Sequence, residues 1–247
     1  MATIMTHSGV CRSPLRVAVT GGTSGLGRAL VEALAARGDG VAFVARDSAR
    51  VRAVAAAVAG SHGIVGDVAE KDDAHAIALQ VGGGLGGLDV LVHNASSLGP
   101  VPLAVLADTE CEDFERALAT NVLGPFRLTK ALLGLLAASA RESKERGVRA
   151  LVVHVTSDAA VTPYAGWGAY GASKAAFAHM GRIWHAELAP HGIAVIDVDP
   201  GDMDTPMHAA ALPDADPATL KRPRDAAREL IALIDRERAA PVATSAR

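Results

Sequence analysis

The chain has 247 residues, 50% hydrophobic and 21% charged, enough to bury one substantial core. A formal charge of -3 leaves no cationic excess to neutralise a nucleic-acid backbone or an anionic lipid surface, so neither is expected as a partner. Cys11 and Cys111 lie in no Cys-x-x-Cys or metal-ligand pattern and read as two reduced thiols.

Residues 1–14 carry weak periodicity and no signal-like apolar run; they are expected to be a flexible segment ahead of one domain, 15–247. Beyond them, short apolar runs alternate with segments of helical period. Strands are expected at 16–20, 41–45, 63–65, 88–93, 150–156 and 193–198, and helices at 25–37, 48–58, 71–80, 111–139, 170–189 and 224–238. Strands that are apolar almost throughout are those buried on both faces. The expected class is therefore α/β, a Rossmann-type doubly wound parallel sheet with helices on both faces. Residues 241–246 are a candidate edge strand, and 206–223 a small cover over a pocket. No stretch approaches bilayer-spanning length by eye, and a cytoplasmic location is expected.

The first strand runs into Gly21-Gly22-Thr23-Ser24-Gly25-Leu26-Gly27 and then an amphipathic helix. In that setting Gly21 can turn the chain off the strand, Gly25 can let backbone N–H groups approach a pyrophosphate, and Gly27 can bring helix against strand. The helix N-terminus favours the negative charge. The alternative is a ligand-free connection. Gly82, Gly84 and Gly87 fit G-x-G-x-x-G better, but they precede a strand and open no helix, and are read as a loop.

Tyr170 and Lys174 stand four apart in a helical segment and so share a face. A phenol titrates near pH 10 and needs a shift of about 3 units to serve as acid and base near neutrality. An ammonium about 5 Å away, at an effective dielectric of about 20, favours the phenolate by roughly 3 kcal/mol. The pair is expected to come close to sufficing by itself, against the alternative of an exposed helix pair without function. Trp167, three residues earlier, is placed equally well in a substrate pocket or in the core. His179, His185 and His191 are six apart, on different helix faces, and no metal site is expected.

From residue 16 to about 211 the sequence resembles the short-chain dehydrogenase/reductase family. Thr20-Gly21-x-x-x-Gly25-x-Gly27 is similar to that family's cofactor loop, His93-Asn94-Ala95-Ser96 to its strand-end motif, and Asp199-Pro200-Gly201-Asp202-Met203-Asp204-Thr205 to its nicotinamide-side segment. Asn121 sits mid-helix, and Ser157 precedes Tyr170 by thirteen positions. The resemblance implies a catalytic tetrad of Asn121, Ser157, Tyr170 and Lys174. Tyr170 would exchange a proton with the substrate oxygen, Ser157 orient that oxygen, and Lys174 hold the nicotinamide ribose. A distortion at Asn121 would free a backbone carbonyl for a water relay. It implies cofactor contacts from Gly21, Thr23, Ser24, Gly25, Leu26, Gly27, Arg46, Asp67, Val68, Asn94, Ala95, Tyr170, Lys174, Pro200, Gly201, Met203 and Thr205. His93 and Ser96 depart from the family's asparagine and glycine, which is expected to alter contacts on the adenosine side and leave the tetrad untouched.

The cofactor is expected to be NADP (NADPH) in preference to NAD. Ala45 replaces an acid that takes ribose hydroxyls in NAD-dependent relatives, and Arg46 follows, where it can pair with a 2′-phosphate. Against this stand Ser24, where many NADP-preferring relatives are basic, and Asp47, twenty positions after Gly27. The expected activity is hydride transfer between nicotinamide and a small-molecule carbonyl or alcohol. The alternative is a non-catalytic nucleotide-sensing or scaffold protein on the same fold. A homo-oligomer, tetramer or dimer, is also expected. In the helix at 111–139 a stripe of Phe114, Leu118, Val122, Phe126 and Leu133 leaves Leu123, Leu132, Leu135 and Leu136 to be covered.

Overall fold

A computed structural model describes residues 13–143 and 147–240. Its strands are β1 (Arg16–Thr20), β2 (Gly40–Ala45), β3 (Ser61–Val65), β4 (Val90–His93), β5 (Ala150–Val155) and β6 (Ile193–Val198). They pair in parallel in the order β3-β2-β1-β4-β5-β6. This is the doubly wound Rossmann order. The helices are α1 (Gly25–Ala36), α2 (Ser48–Ala57), α3 (Asp73–Leu85), α4 (Cys111–Leu118), α5 (Gly124–Ser143), α6 (Gly168–Leu188), α7 (Pro206–Ala211) and α8 (Pro223–Ala239).

Successive strand residues face opposite sides, so each strand feeds two cores. Val17, Val19, Val41 and Phe43 pack with Leu30 and Leu34 of α1, Val51 of α2 and Ile234 of α8. Ala18, Ala42, Val44 and Leu91 pack with Ile77 of α3 and Leu128, Leu132 and Leu136 of α5. That two-sided burial is why the strands carry few polar residues.

Several details depart from expectation. The helix expected at 111–139 is interrupted by a π turn over Ala119–Leu123 between α4 and α5, and continues to Ser143. Its buried row is Leu128, Leu132 and Leu136, while Phe126 and Leu123 are exposed. The expected stripe was projected through one uninterrupted helix, and the π turn changes the facing of the residues after it relative to those before it. The run from Cys111 to Ser143 is also long and apolar enough to cross a membrane by length and composition, contrary to the reading above. Leu128, Leu132, Leu136 and Ala140 of this run pack on the sheet. The glycine cluster at 82–87 is not simply a loop: Gly82 and Gly84 form the last turn of α3, and Gly86, at φ 67°, ends it in the left-handed conformation. The segment 206–223 carries α7 and a short 3-10 turn, Pro217–Thr219. The possible strand at 241–246 and most of segment 1–14 lie outside the described residues.

Candidate active site

The sheet order reverses between β1 and β4, and a crevice opens above their carboxyl ends. The two strand ends are clamped together. Thr20 Oγ1 accepts hydrogen bonds from the Asn94 and Ala95 N–H groups, each at 3.0 Å, and Asn94 Nδ2 donates to Thr20 O at 2.9 Å. Gly21 leaves β1 at φ 71°, a region that costs an L side chain, and its N–H reaches Val44 O at 2.8 Å. At Gly27 a Cβ would strike Gly21 O and the Asn94 amide, so only hydrogen lets α1 come this close. The Ser24 side chain makes no capping bond, which leaves the first-turn amides of α1 facing the cleft. This cradle fits a dinucleotide: glycine where a Cβ would fill it, uncapped amides, and a long open cleft of about 760 Å³ beside them.

Every residue expected to touch the cofactor lines that cleft except Gly27, which lies beneath the loop. At one end Ala45 closes β2. The Arg46 side chain is 73% exposed, with Nη1 3.6 Å from Asp67 Oδ2. Asp47, the acid weighed against NADP, is engaged elsewhere: its Oδ1 accepts from the Ala49 and Arg50 N–H groups and caps α2.

At the other end Ser157, Tyr170 and Lys174 line one wall. Lys174 is buried and donates to Val155 O at 2.8 Å, with Nζ 5.5 Å from the Tyr170 ring centre. Burial lowers Lys174 to about 8, opposed by the charge of Asp199. Tyr170 moves the other way, up to about 12, chiefly through burial and then the carboxylates of Asp199 and Asp158, against hydrogen bonding with Ser157 and Ser96. The expectation that Lys174 nearly suffices to bring the phenol to neutrality therefore fails. A fixed charge near the ring does not offset loss of water around the phenolate. Burial thus favours the protonated phenol at Tyr170.

Asn121 stands behind this wall, in the π turn. Its Oδ1 accepts from Ser97 N–H at 2.8 Å and Ser96 Oγ at 3.1 Å, while Nδ2 donates to Ser97 O and Ser173 Oγ, both at 2.8 Å. Ser96 thus touches one tetrad member, Asn121, which corrects the reading that it leaves the tetrad untouched. His93 is buried, bonded to Thr129 Oγ1 at 2.8 Å and 5.5 Å from the ring of His154, and does not itself line the cleft. Trp167 does both things weighed for it: it lines the cleft and meets the Tyr170 ring edge-on at 5.7 Å.

Sequence reasoning missed Asp158, Tyr164 and the α7 residues Met207 and His208, which line the substrate end. Asp158 follows Ser157 directly and was available as a signal. Tyr164 comes from a loop and Met207 and His208 from the short α7, whose paths no periodicity encodes. Among the described residues no three His, Cys, Asp or Glu side chains gather as for a metal ion.

The sequence profile of the short chain dehydrogenase family matches residues 16–216. A 2,5-dichloro-2,5-cyclohexadiene-1,4-diol dehydrogenase of Sphingobium indicum is 34% identical over 200 residues, covering 79% of this chain and 75% of that one. A short-chain dehydrogenase of Shigella flexneri 2a, solved with NADP, superposes with a TM-score of 0.82 at 27% identity, covering 91% and 93%. A 3-ketoacyl-(acyl-carrier-protein) reductase of Brucella melitensis, solved with NADH, superposes with a TM-score of 0.81 at 25% identity, also over 91% and 93%. The chain belongs to the short-chain dehydrogenase family, and is an oxidoreductase of that family.

Proposed function

We propose that residues 15–247 form one NADP(H)-dependent oxidoreductase domain that interconverts a small-molecule carbonyl and its alcohol. The observation that carries this reading is one wall of the dinucleotide-fitted cleft on which Ser157, Tyr170 and Lys174 converge, with Asn121 bonded in behind it. Gly21, Thr23, Gly25 and Leu26 would hold the pyrophosphate, Arg46 the 2′-phosphate, and Met203 and Thr205 the nicotinamide side. When bound, the cofactor supplies or takes the hydride. In reduction Tyr170, protonated at rest, gives its proton to the substrate oxygen; in oxidation it takes that proton back. Ser157 orients the oxygen, and Lys174 fixes the ribose. Asn121 holds the Ser96–Ser97 turn against α6 through Ser173.

The substrate end carries Asp158, Asp199 and Asp202. Among the described lining residues, Lys174 is the only lysine, and the arginines, Arg46 and Arg50, are those following β2. This favours neutral or cationic substrates over carboxylates. The non-catalytic alternative leaves a buried phenol, its lysine and its serine without a use. Following NADPH absorbance with a panel of aldehydes, ketones, diketones and quinones tests the proposal. Oxidation of NADPH by at least one is expected, and tight cofactor binding with no turnover on any member refutes it.

We further propose a homo-oligomer. Leu123 and Ile183 are exposed at 44% and 49%, and Phe126, exposed at 39%, stacks on Trp184, giving one apolar face shared by α5 and α6. Cys111 is a free, exposed thiol, which accords with the reducing cytoplasm as its location.

A further inference from the structure

Ser157 has one proton and two lone pairs to place. Its Oγ donates to Asp158 Oδ1 at 2.9 Å and accepts from the Ala159 N–H at 3.2 Å, and Ser157 lines the same wall of the cleft as Tyr170, whose phenolate it favours. The other oxygen of Asp158, Oδ2, accepts from the Tyr164 hydroxyl at 2.7 Å. Asp158 thus holds one hydroxyl on each oxygen, and both Asp158 and Tyr164 line the substrate end of the cleft. The Tyr164 bond, with smaller help from Ser157, keeps the Asp158 carboxyl below the usual carboxylate range and therefore an acceptor.

A Ser157 proton committed to Asp158 is unavailable to Tyr170. Turned toward the phenol oxygen, the same proton would stabilise phenolate; held on Asp158, it leaves Ser157 with a lone pair to accept from the phenol O–H. We infer that Asp158 is a positioning residue that competes with Tyr170 for the Ser157 proton through its Oδ1, a bond that does not need Tyr164. The consequence is a catalytic tyrosine kept loaded with its proton, the state needed to reduce a carbonyl, which rests on the assignment of Tyr170 as the acid. Other charges around Tyr170 are Lys174 on its own helix and Asp199 beyond β6, with Asp202 near Tyr164. These groups are common to all variants below.

Tyr164 and Tyr170 are the two tyrosines of the chain, so Tyr164→Phe makes Tyr170 the sole source of the phenolate ultraviolet band. The band is titrated in Tyr164→Phe alone, with Asp158→Asn, with Ser157→Ala, and with both, and circular dichroism verifies the fold at each pH. Asp158→Asn is expected to lower the Tyr170 midpoint by about one unit, a tenfold rise in phenolate at a given pH. In the Ser157→Ala background the same substitution is expected to move it by less than half as much. An unchanged midpoint in the first comparison overturns the inference. So does an equal shift in both backgrounds, which would show that Asp158 acts by charge alone. Should Asp158→Asn lose the fold, Asp158→Ser carries the same two outcomes. The titration needs no turnover, so an inactive enzyme would refute the assigned activity without touching this result.

Discussion

Replacing Arg46 by alanine should separate the two nicotinamide cofactors. A charge-assisted hydrogen bond to a phosphate contributes about 1.5–3 kcal/mol when well formed, and an exposed ion pair only about 0–1 kcal/mol. The Arg46 side chain is 73% exposed and already lies 3.6 Å from the Asp67 carboxylate, so the lower part of the first range applies. Its removal also leaves Asp67 without that partner at the adenosine end of the cleft, where a 2′-phosphate would feel the repulsion. Together these give about 1.5–2 kcal/mol, a Kd for NADPH weaker by roughly 10- to 30-fold. NADH lacks the phosphate, and its Kd should change less than about twofold. Quenching of the two tryptophans during titration with each cofactor measures both constants, and high salt should narrow the difference. Ala45→Asp should go further and reverse the preference, because it sets a carboxylate at the end of β2. Equal weakening of both cofactors by Arg46→Ala, or a wild type that already prefers NADH, refutes the reasoning.

Tyr170→Phe should cut kcat by about 10²–10⁴-fold with the NADPH Kd nearly unchanged; more than about a tenth of wild-type turnover in steady-state assays would remove Tyr170 from its role. Matched ketones differing only in charge should rank with the keto acid poorest in kcat/KM, and Asp158→Asn or Asp202→Asn should narrow the gap; a preferred keto acid contradicts the charge argument. Burial holds His93 well below its ordinary value, helped by His154, and holds His154 below it against the pull of Asp197. Both are neutral when folded and charged when unfolded below about pH 6.5, so stability is present above that pH and is lost as pH falls through it. The loss from His93 should approach about 1.4 kcal/mol per pH unit; urea unfolding from pH 7.5 to 5 should show a shallower loss in His93→Gln, and parallel losses would refute this. Phe126→Asp should reduce the particle mass found by light scattering, and a wild-type monomer at micromolar concentration would eliminate the proposed interface.

Much of the fold was legible because parallel strands buried on both faces write themselves as apolar runs. β1 and β6 were placed to the residue, and the other strands within two residues. The cofactor loop was legible for a different reason: Gly21 and Gly27 are demanded by backbone geometry, so their spacing is a direct record of shape. The π turn at Ala119–Leu123 was only half visible. Asn121 signals a place where a regular helix is unfavoured, but the four hydrogen bonds that hold it come from Ser96, Ser97 and Ser173, two segments remote in sequence.

The electrostatics of the site were the least legible part, and the reason is general. Spacing reports which charges are neighbours but not how much water each loses on folding. Tyr170 and Lys174 do share a helix face, and proximity alone argues that each stabilises the other's ion. Both are buried, however, and burial penalises both charged forms, driving the phenol to about 12 and the amine to about 8. The carboxylates of Asp158 and Asp199 add to the penalty on the phenolate; both stand beside motif residues in the sequence, but their distance from the phenol is set by the fold. A site tuned in this way favours proton donation at rest.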